Sequence, residues 1–277
     1  MKISNLKMGK GGLFVPGFKA AGISCGIKRG GKKDLALIYS ETPATVAGVF
    51  TTNAVKAAPV LVDMERVKRG ISQAIIVNSG NANACTGRKG LEDAKKMAEL
   101  TEKALGIKRG LAMVSSTGVI GEPLPMDRIK KGILTLDSQL STLNSQYGWQ
   151  DAAEAIMTTD TLPKLVIESG RIGSKEVTIL GIAKGAGMIC PNLAPAGSKQ
   201  GMATMLAFLV TDAAIERRAL QYALEDVVDR TFNRITVDGD TSTNDMVLML
   251  ADGKAGNTGG ERHGRAFHGQ GVKGTGV

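Results

Sequence analysis

An α/β fold is what this sequence predicts, and three observations carry the prediction. Short runs of β-branched and apolar residues recur along the chain, a well-marked amphipathic helix lies between them, and glycines punctuate the joins. With 277 residues, 43% of them hydrophobic and 22% charged, the chain can bury a sizeable core.

Residues 9 to 31 carry glycines and a proline at turn spacing, so they read as turns between short strands. Asp34 to Ser40 and Ala44 to Thr52 are predicted as two strands, and Pro59 to Asp63 as a third. Gln73 to Val77 is a continuous apolar run, the pattern of a strand covered on both faces. It delivers a loop of small residues at 78 to 83 that can approach a ligand closely. The next segment is helical: Leu91, Ala94, Met97, Ala98, Thr101, Ala104 and Leu105 share one face, and Gly106 stops it. Leu111 to Val114 is a strand leading into a turn at Ser115 to Gly121. Trp149, Ala152, Ala153, Ile156 and Met157 have helical spacing. Leu165 to Glu168 and Glu176 to Ile182 flank Gly173 and Ser174 as a β-hairpin. Met205 to Val210 is apolar, strand or helix. Ile215 to Val228 is a helix with Leu220, Leu224 and Val227 inward, and Thr231 to Val237 and Met246 to Ala251 are strands around an acidic loop.

The net charge is +9, but the basic residues are scattered and aromatics are only 4%. Without a stacking platform, nucleic acid is not an expected partner. The longest apolar run, Met202 to Val210, is far short of a bilayer of roughly 30 Å, and the N-terminus lacks a signal-peptide core, so no membrane is expected and the cytoplasm is the default compartment. Cys25, Cys85 and Cys190 have neither metal-site nor disulfide spacing and read as small buried residues in a reducing compartment. Asp238 and Asp240 lack the sixth-position glycine and distant glutamate of a calcium loop, so no metal is expected.

The chemistry concentrates between Lys184 and Leu206, KGAGMICPNLAPAGSKQGMATML. Thr204 is the candidate nucleophile. A threonine hydroxyl needs an adjacent base, and a cut between Ala203 and Thr204 would supply one in the new α-amine, which titrates near pH 8 in a free peptide. The alternative is a small residue opening an apolar segment.

Five blocks in order resemble one family: NSGNANACTG at 78 to 87, SSTGVIGE at 115 to 122, MTTDT at 157 to 161, KGAGMI at 184 to 189 with PN and ATML following, and DGDTSTND at 238 to 245. They are similar to the self-cleaving ornithine acetyltransferase (glutamate N-acetyltransferase) family of arginine biosynthesis, with the resemblance running to about Asn257. It implies an αββα sandwich in which helix layers enclose two sheets, and autocleavage into an α chain ending at Ala203 and a β chain starting at Thr204, assembled as a heterotetramer of two of each. Thr117 and Gly118 would form the oxyanion hole. Thr158, with Thr159 and Thr161 as competitors, would bind substrate together with Lys184 and Thr204. The implied reaction moves acetyl from N-acetylornithine to glutamate without a cofactor, acetyl-CoA being an alternative donor. Competing readings are an N-terminal-nucleophile hydrolase and an inactive remnant.

The chain departs from the family pattern twice. Residues 193 to 201 intervene between the PN pair and Met202. After Asn257 the sequence turns Gly-rich and basic, takes in both His263 and His268, and reads as a disordered tail over 258–277 in place of the family's later substrate-binding segment. The expected organisation is therefore 1–203, 204–257 and the tail.

Overall fold

The fold is built around one long strand, β2 (Leu35–Thr51). The computed structural model describes residues 13–142, 145–191, 193–195, 205–240 and 242–257. Two separate strands are expected at 34–40 and 44–52. They are one strand, because the ladder shifts register between Tyr39 and Ala44 and resumes. Such a bulge bends a strand without ending it, and it gives Pro43 a place where no ladder donor is required.

Before the bulge β2 pairs antiparallel with β1 (Phe18–Ile23), and on both sides of it, to Thr45, with β3 (Ile71–Asn81), which runs parallel to β4 (Ala112–Val119). After it, β2 pairs with β9 (Met246–Ala251) and, at Phe50 and Thr51, with the short β7 (Leu193–Ala194). β9 lies parallel to β8 (Leu206–Thr211), followed by β6 (Lys175–Lys184) and the edge strand β5 (Lys164–Ile172). Among the described residues this makes one nine-stranded sheet with the path β4-β3-β2-β9-β8-β6-β5.

Side-chain alternation shows how that sheet is folded. Leu35 and Leu37 pack outward with Ala74, Ile76 and Val114 against α1 (Ala58–Arg66), α2 (Gly87–Ala104) and α3 (Met126–Thr142). Ala47 and Val49, on the far arm, pack outward against Leu220, Leu224 and Val228 of α5 (Arg217–Arg230). The residues between them, Ala36, Ile38, Val46 and Phe50, share an inner core with Ile75, Phe208 and Leu248. Helix, β arm, β arm, helix is the layered αββα order expected, but the two β layers are arms of a single bent sheet. Each fully buried Leu, Ile or Phe there contributes about 1.5–3 kcal/mol.

The remaining helix, α4 (Ser145–Ala155), contributes Trp149, Ala152 and Ala153 to the inner core. It rides directly on β1: a Cβ on Gly148 would stand 2.0 Å from the Ala20 carbonyl oxygen, so only glycine permits the approach.

Several expectations are corrected. Residues 59–63 are helical, not a strand. Pro59 sits in the first turn, where its missing N–H costs nothing, and Val60, Val62 and Asp63 turn inward. Residues 231–237 form no strand, because both edges of β9 are already taken by β2 and β8; a 3₁₀ turn at Phe232–Arg234 stands there instead. On α5 the inward residue is Val228, while Val227 is exposed; the helix begins at Arg217, its N-terminal N–H groups capped by Glu216. The segment 78–83 is a loop only in its last two residues, since β3 runs to Asn81, and β4 likewise continues through Thr117 and Gly118. Cys85 is exposed, and Cys25 and Cys190 are half-buried. The hairpin turn at Gly173 and Ser174 is as expected, with Ile172 paired to Lys175.

Candidate active site

The ends of the two arms meet at a cavity of about 540 Å³, lined by Gly80, Thr117, Gly118, Thr158, Lys184 and Asn244 among others. Its construction follows from the bend. β4 and β6 have four strands between them in the sheet path. In a flat sheet they would stand about 24 Å apart. Here the Lys184 ammonium, at the end of β6, donates to Thr117 Oγ1 at the end of β4 over 3.1 Å.

Each wall has a local cause. At Gly118 φ is +135°, and a Cβ there would lie 2.4 Å from the Gly80 carbonyl carbon; the parallel strands β3 and β4 close to this distance only because residue 118 is glycine. Thr117 is buried, and in accepting from Lys184 its hydroxyl keeps its own O–H as a donor. Asn244 ties the two strand ends together, its amide donating to the Ala82 carbonyl at 2.6 Å and to the Ser116 carbonyl at 2.8 Å. Ser116 in turn donates to Asn78 Oδ1 at 2.6 Å.

On the opposite wall Asp160 accepts the N–H groups of Thr158 (3.2 Å) and Gly185 (2.8 Å), locking the 157–161 turn to the residue after Lys184. Thr158 and Thr159 line the cavity, whereas Thr161 is exposed and is not part of the lining. Asp238 spends its carboxylate on the N–H groups of Met188 and Ile189, at 2.6 and 2.8 Å, which holds the glycine-rich stretch after Lys184 in place. No group of three or more His, Cys, Asp or Glu among the described residues is placed to hold a metal ion.

Thr204, Ala203 and the tail histidines lie outside the described residues, as do residues 196–201 of the intervening segment. Its first residues are packed: Leu193 is buried, and its N–H and carbonyl both bond the side chain of Asn233. Met205, one peptide beyond Thr204, is buried and gives its N–H to the Asp245 carboxyl.

The electrostatics are set by burial. Lys184 is 2% exposed, and desolvation lowers its pKa below the usual lysine value, against the pull of Asp160. Burial pushes Asp245 up to about 9, so this carboxyl holds its proton at neutral pH. Lys28, which also lines the cavity, is brought down to about 8, first by burial.

A family profile described as the ArgJ family matches residues 19–270. The chain belongs to the ArgJ family. It is 54% identical over 263 residues to the arginine biosynthesis bifunctional protein ArgJ of Symbiobacterium thermophilum, covering 93% of this chain and 62% of that protein. With the ArgJ of Caldanaerobacter subterraneus it shares 53% identity over 241 residues, 87% of this chain and 56% of that one. The chain thus spans roughly three-fifths of the length of these curated ArgJ relatives.

Two crystal structures are also similar. The bifunctional ArgJ of Bacillus halodurans is 45% identical with a TM-score of 0.60, covering 65% of this chain and 92% of that one. The ornithine acetyltransferase of Mycobacterium tuberculosis, solved with ornithine, is 39% identical with a TM-score of 0.57, covering 65% and 94%. The ArgJ match extends past Asn257, where the sequence resemblance was expected to stop.

Lys28 and Asn244 line this cavity and Asp160 and Asp245 brace it, and the sequence does not single out any of the four. For Asp160, Asn244 and Asp245 the sequence does hold a signal, since they lie in the 157–161 and 238–245 blocks.

Proposed function

We propose that this chain carries the acyl-transfer site of a glutamate N-acetyltransferase that takes acetyl from N-acetylornithine. The observation that carries the reading is the Lys184–Thr117 hydrogen bond, which puts a cation and a hydroxyl beside the flexible-backbone Gly118 in one cavity, next to the strand that Thr204 leads into.

In this reading Thr204 Oγ first attacks the Ala203 carbonyl, and water releases the resulting ester to leave a free Thr204 α-amine. That amine accepts the hydroxyl proton as Oγ attacks the acetyl carbonyl of N-acetylornithine. Negative charge develops on the acetyl oxygen, and the Thr117 O–H with the Gly118 N–H is suited to receive it. Collapse of the intermediate returns the proton to the leaving nitrogen and frees ornithine. The amine of glutamate then attacks the Thr204 ester by the same steps in reverse. Lys184 suits a substrate carboxylate, and Thr158, with Thr159 beside it, supplies a hydroxyl at the opposite wall. Acetyl-CoA is an alternative donor, the α and β fragments would assemble two and two, and the cytoplasm is the compartment, in keeping with free cysteines at all three positions.

The test is the mass of the purified chain before and after incubation with N-acetylornithine. Two fragments, the second starting at Thr204 and gaining one acetyl group, are expected, with Thr204→Ala giving neither cleavage nor adduct. Acetate released without N-acetylglutamate would favour a hydrolase. An uncut chain that never takes up acetyl would end the acyl-transfer reading.

A further inference from the structure

Lys28 has no part in the transfer outlined above, yet it lines the same cavity. Its backbone is fixed by Asp34, whose carboxylate is wholly buried and accepts the N–H groups of Cys25, Ile27 and Lys28 at 2.6, 2.6 and 2.9 Å. Asp34 is therefore occupied with main-chain donors. Among the described residues the Lys28 ammonium finds only carbonyls: Lys33 O at 2.8 Å and Ala155 O at 3.5 Å. One of its three N–H bonds remains for a ligand. Its alkyl stem crosses Gly80, where an added Cβ would stand 3.0 Å from Lys28 Cγ, and Gly118 packs against that same glycine. Lys28 thus sits over the strand end that carries Thr117 and Gly118.

Among the described residues the cavity lining contains two lysines and no carboxylate. Among the described residues neither ammonium has an acid as its hydrogen-bond partner. Two cations around one void are compensated best by a ligand that brings two anionic groups. We propose that Lys28 binds the side-chain carboxylate of a dicarboxylic amino acid acceptor whose α-carboxylate is held by Lys184. This rests on the acyl-transfer reading of the cavity and adds a sorting role to it. Lys28 favours an acceptor that ends in a carboxylate over one that ends in a methyl group.

The experiment is a calorimetric titration of the full chain with glutamate and with α-aminobutyrate, which keeps the α-amino acid and lacks the γ-carboxylate. In the parent, glutamate should bind at least about tenfold tighter, as expected for one charge-assisted hydrogen bond. Lys28→Met should erase that ratio while leaving α-aminobutyrate affinity unchanged, and Lys28→Arg should restore most of it. Equal weakening of both ligands, an unchanged ratio, or a parent that does not distinguish the two would overturn the proposal. The parent comparison needs no variant, so a misfolded Lys28→Met leaves the question decidable. Acetyl uptake by the parent from N-acetylornithine is scored separately, so a failure of the transfer reading is recognised apart from a failure of Lys28.

Discussion

Gly118→Ala is the most demanding test of the site geometry. The added methyl would meet the Gly80 carbonyl carbon at 2.4 Å, the Asn81 nitrogen at 2.5 Å and the Gly80 Cα at 2.7 Å, all backbone, while ordinary contact begins near 3.4 Å. β4 must therefore withdraw from β3 by about 1 Å, or the methyl must be relieved by a change of φ. Overpacking of this kind costs about 1–3 kcal/mol, and holding alanine at a positive φ adds about 1–2 kcal/mol, so a loss of about 2–5 kcal/mol is expected. Unfolding in urea reads it directly through Trp149, the sole tryptophan and completely buried. Acetyl uptake from N-acetylornithine should also fall by on the order of a hundredfold, since the strand end that presents Thr117 has moved by about an ångström. Gly181→Ala is the control: its methyl would meet only side-chain atoms, none nearer than 3.6 Å, so its stability should stay within about 0.5 kcal/mol of the parent. If Gly118→Ala unfolds like the parent, the tight β3–β4 closure is wrong.

Asn244→Ala strips the donors from the Ala82 and Ser116 carbonyls, and at about 1–3 kcal/mol for each buried group left unpaired it should lower the urea midpoint clearly. Asp245 gives a pH signature. The native state keeps a proton on it up to about 9, whereas the unfolded chain loses it near 3.8, so the native state binds more protons between those values and stability falls as pH rises. Asp245→Asn should flatten that part of the slope in urea midpoints compared between about pH 5 and pH 8; an identical slope would mean the carboxyl is ionised when folded. Maleimide should label Cys85 first, because it is exposed, while Cys25, whose thiol burial pushes up to about 12, should react only after unfolding. Peptide mapping by mass spectrometry would show the order.

The elements that could be read from sequence are those in which one local signal is unopposed. The run 73–77 is buried on both faces of β3, the 91–105 periodicity is the inward stripe of α2, and the Gly173 turn closes the hairpin. Reading failed where neighbours decide. Val60 and Val62 fit a strand as well as a helix, and only the first-turn proline separates the two. Residues 231–237 have strand composition, but both edges of the β9 strand that follows them are taken by β2 and β8. α3 shows the converse case: Ile129, Ile133, Leu136 and Leu140 keep helical spacing and are all buried, but no element was expected there.

The site divides similarly. Thr117, Gly118, Thr158 and Lys184 were assigned through resemblance, and the fold brings all four to one cavity. Lys28 had no such marker, since its place over Gly80 follows from how the β1–β2 hairpin closes. Asn244 acts on carbonyls 162 and 128 residues away in sequence, a distance at which no local pattern speaks.

The exposed step Glu41, Thr42 and Pro43 in β2 has a consequence at the far end of the molecule. Both arms are one piece of hydrogen-bonded backbone, so a change of length at this step is carried along the sheet to the strand ends that hold Thr117 and Lys184. Shortening or lengthening residues 41–43 should change the Lys184–Thr117 separation without changing the identity of any cavity-lining residue.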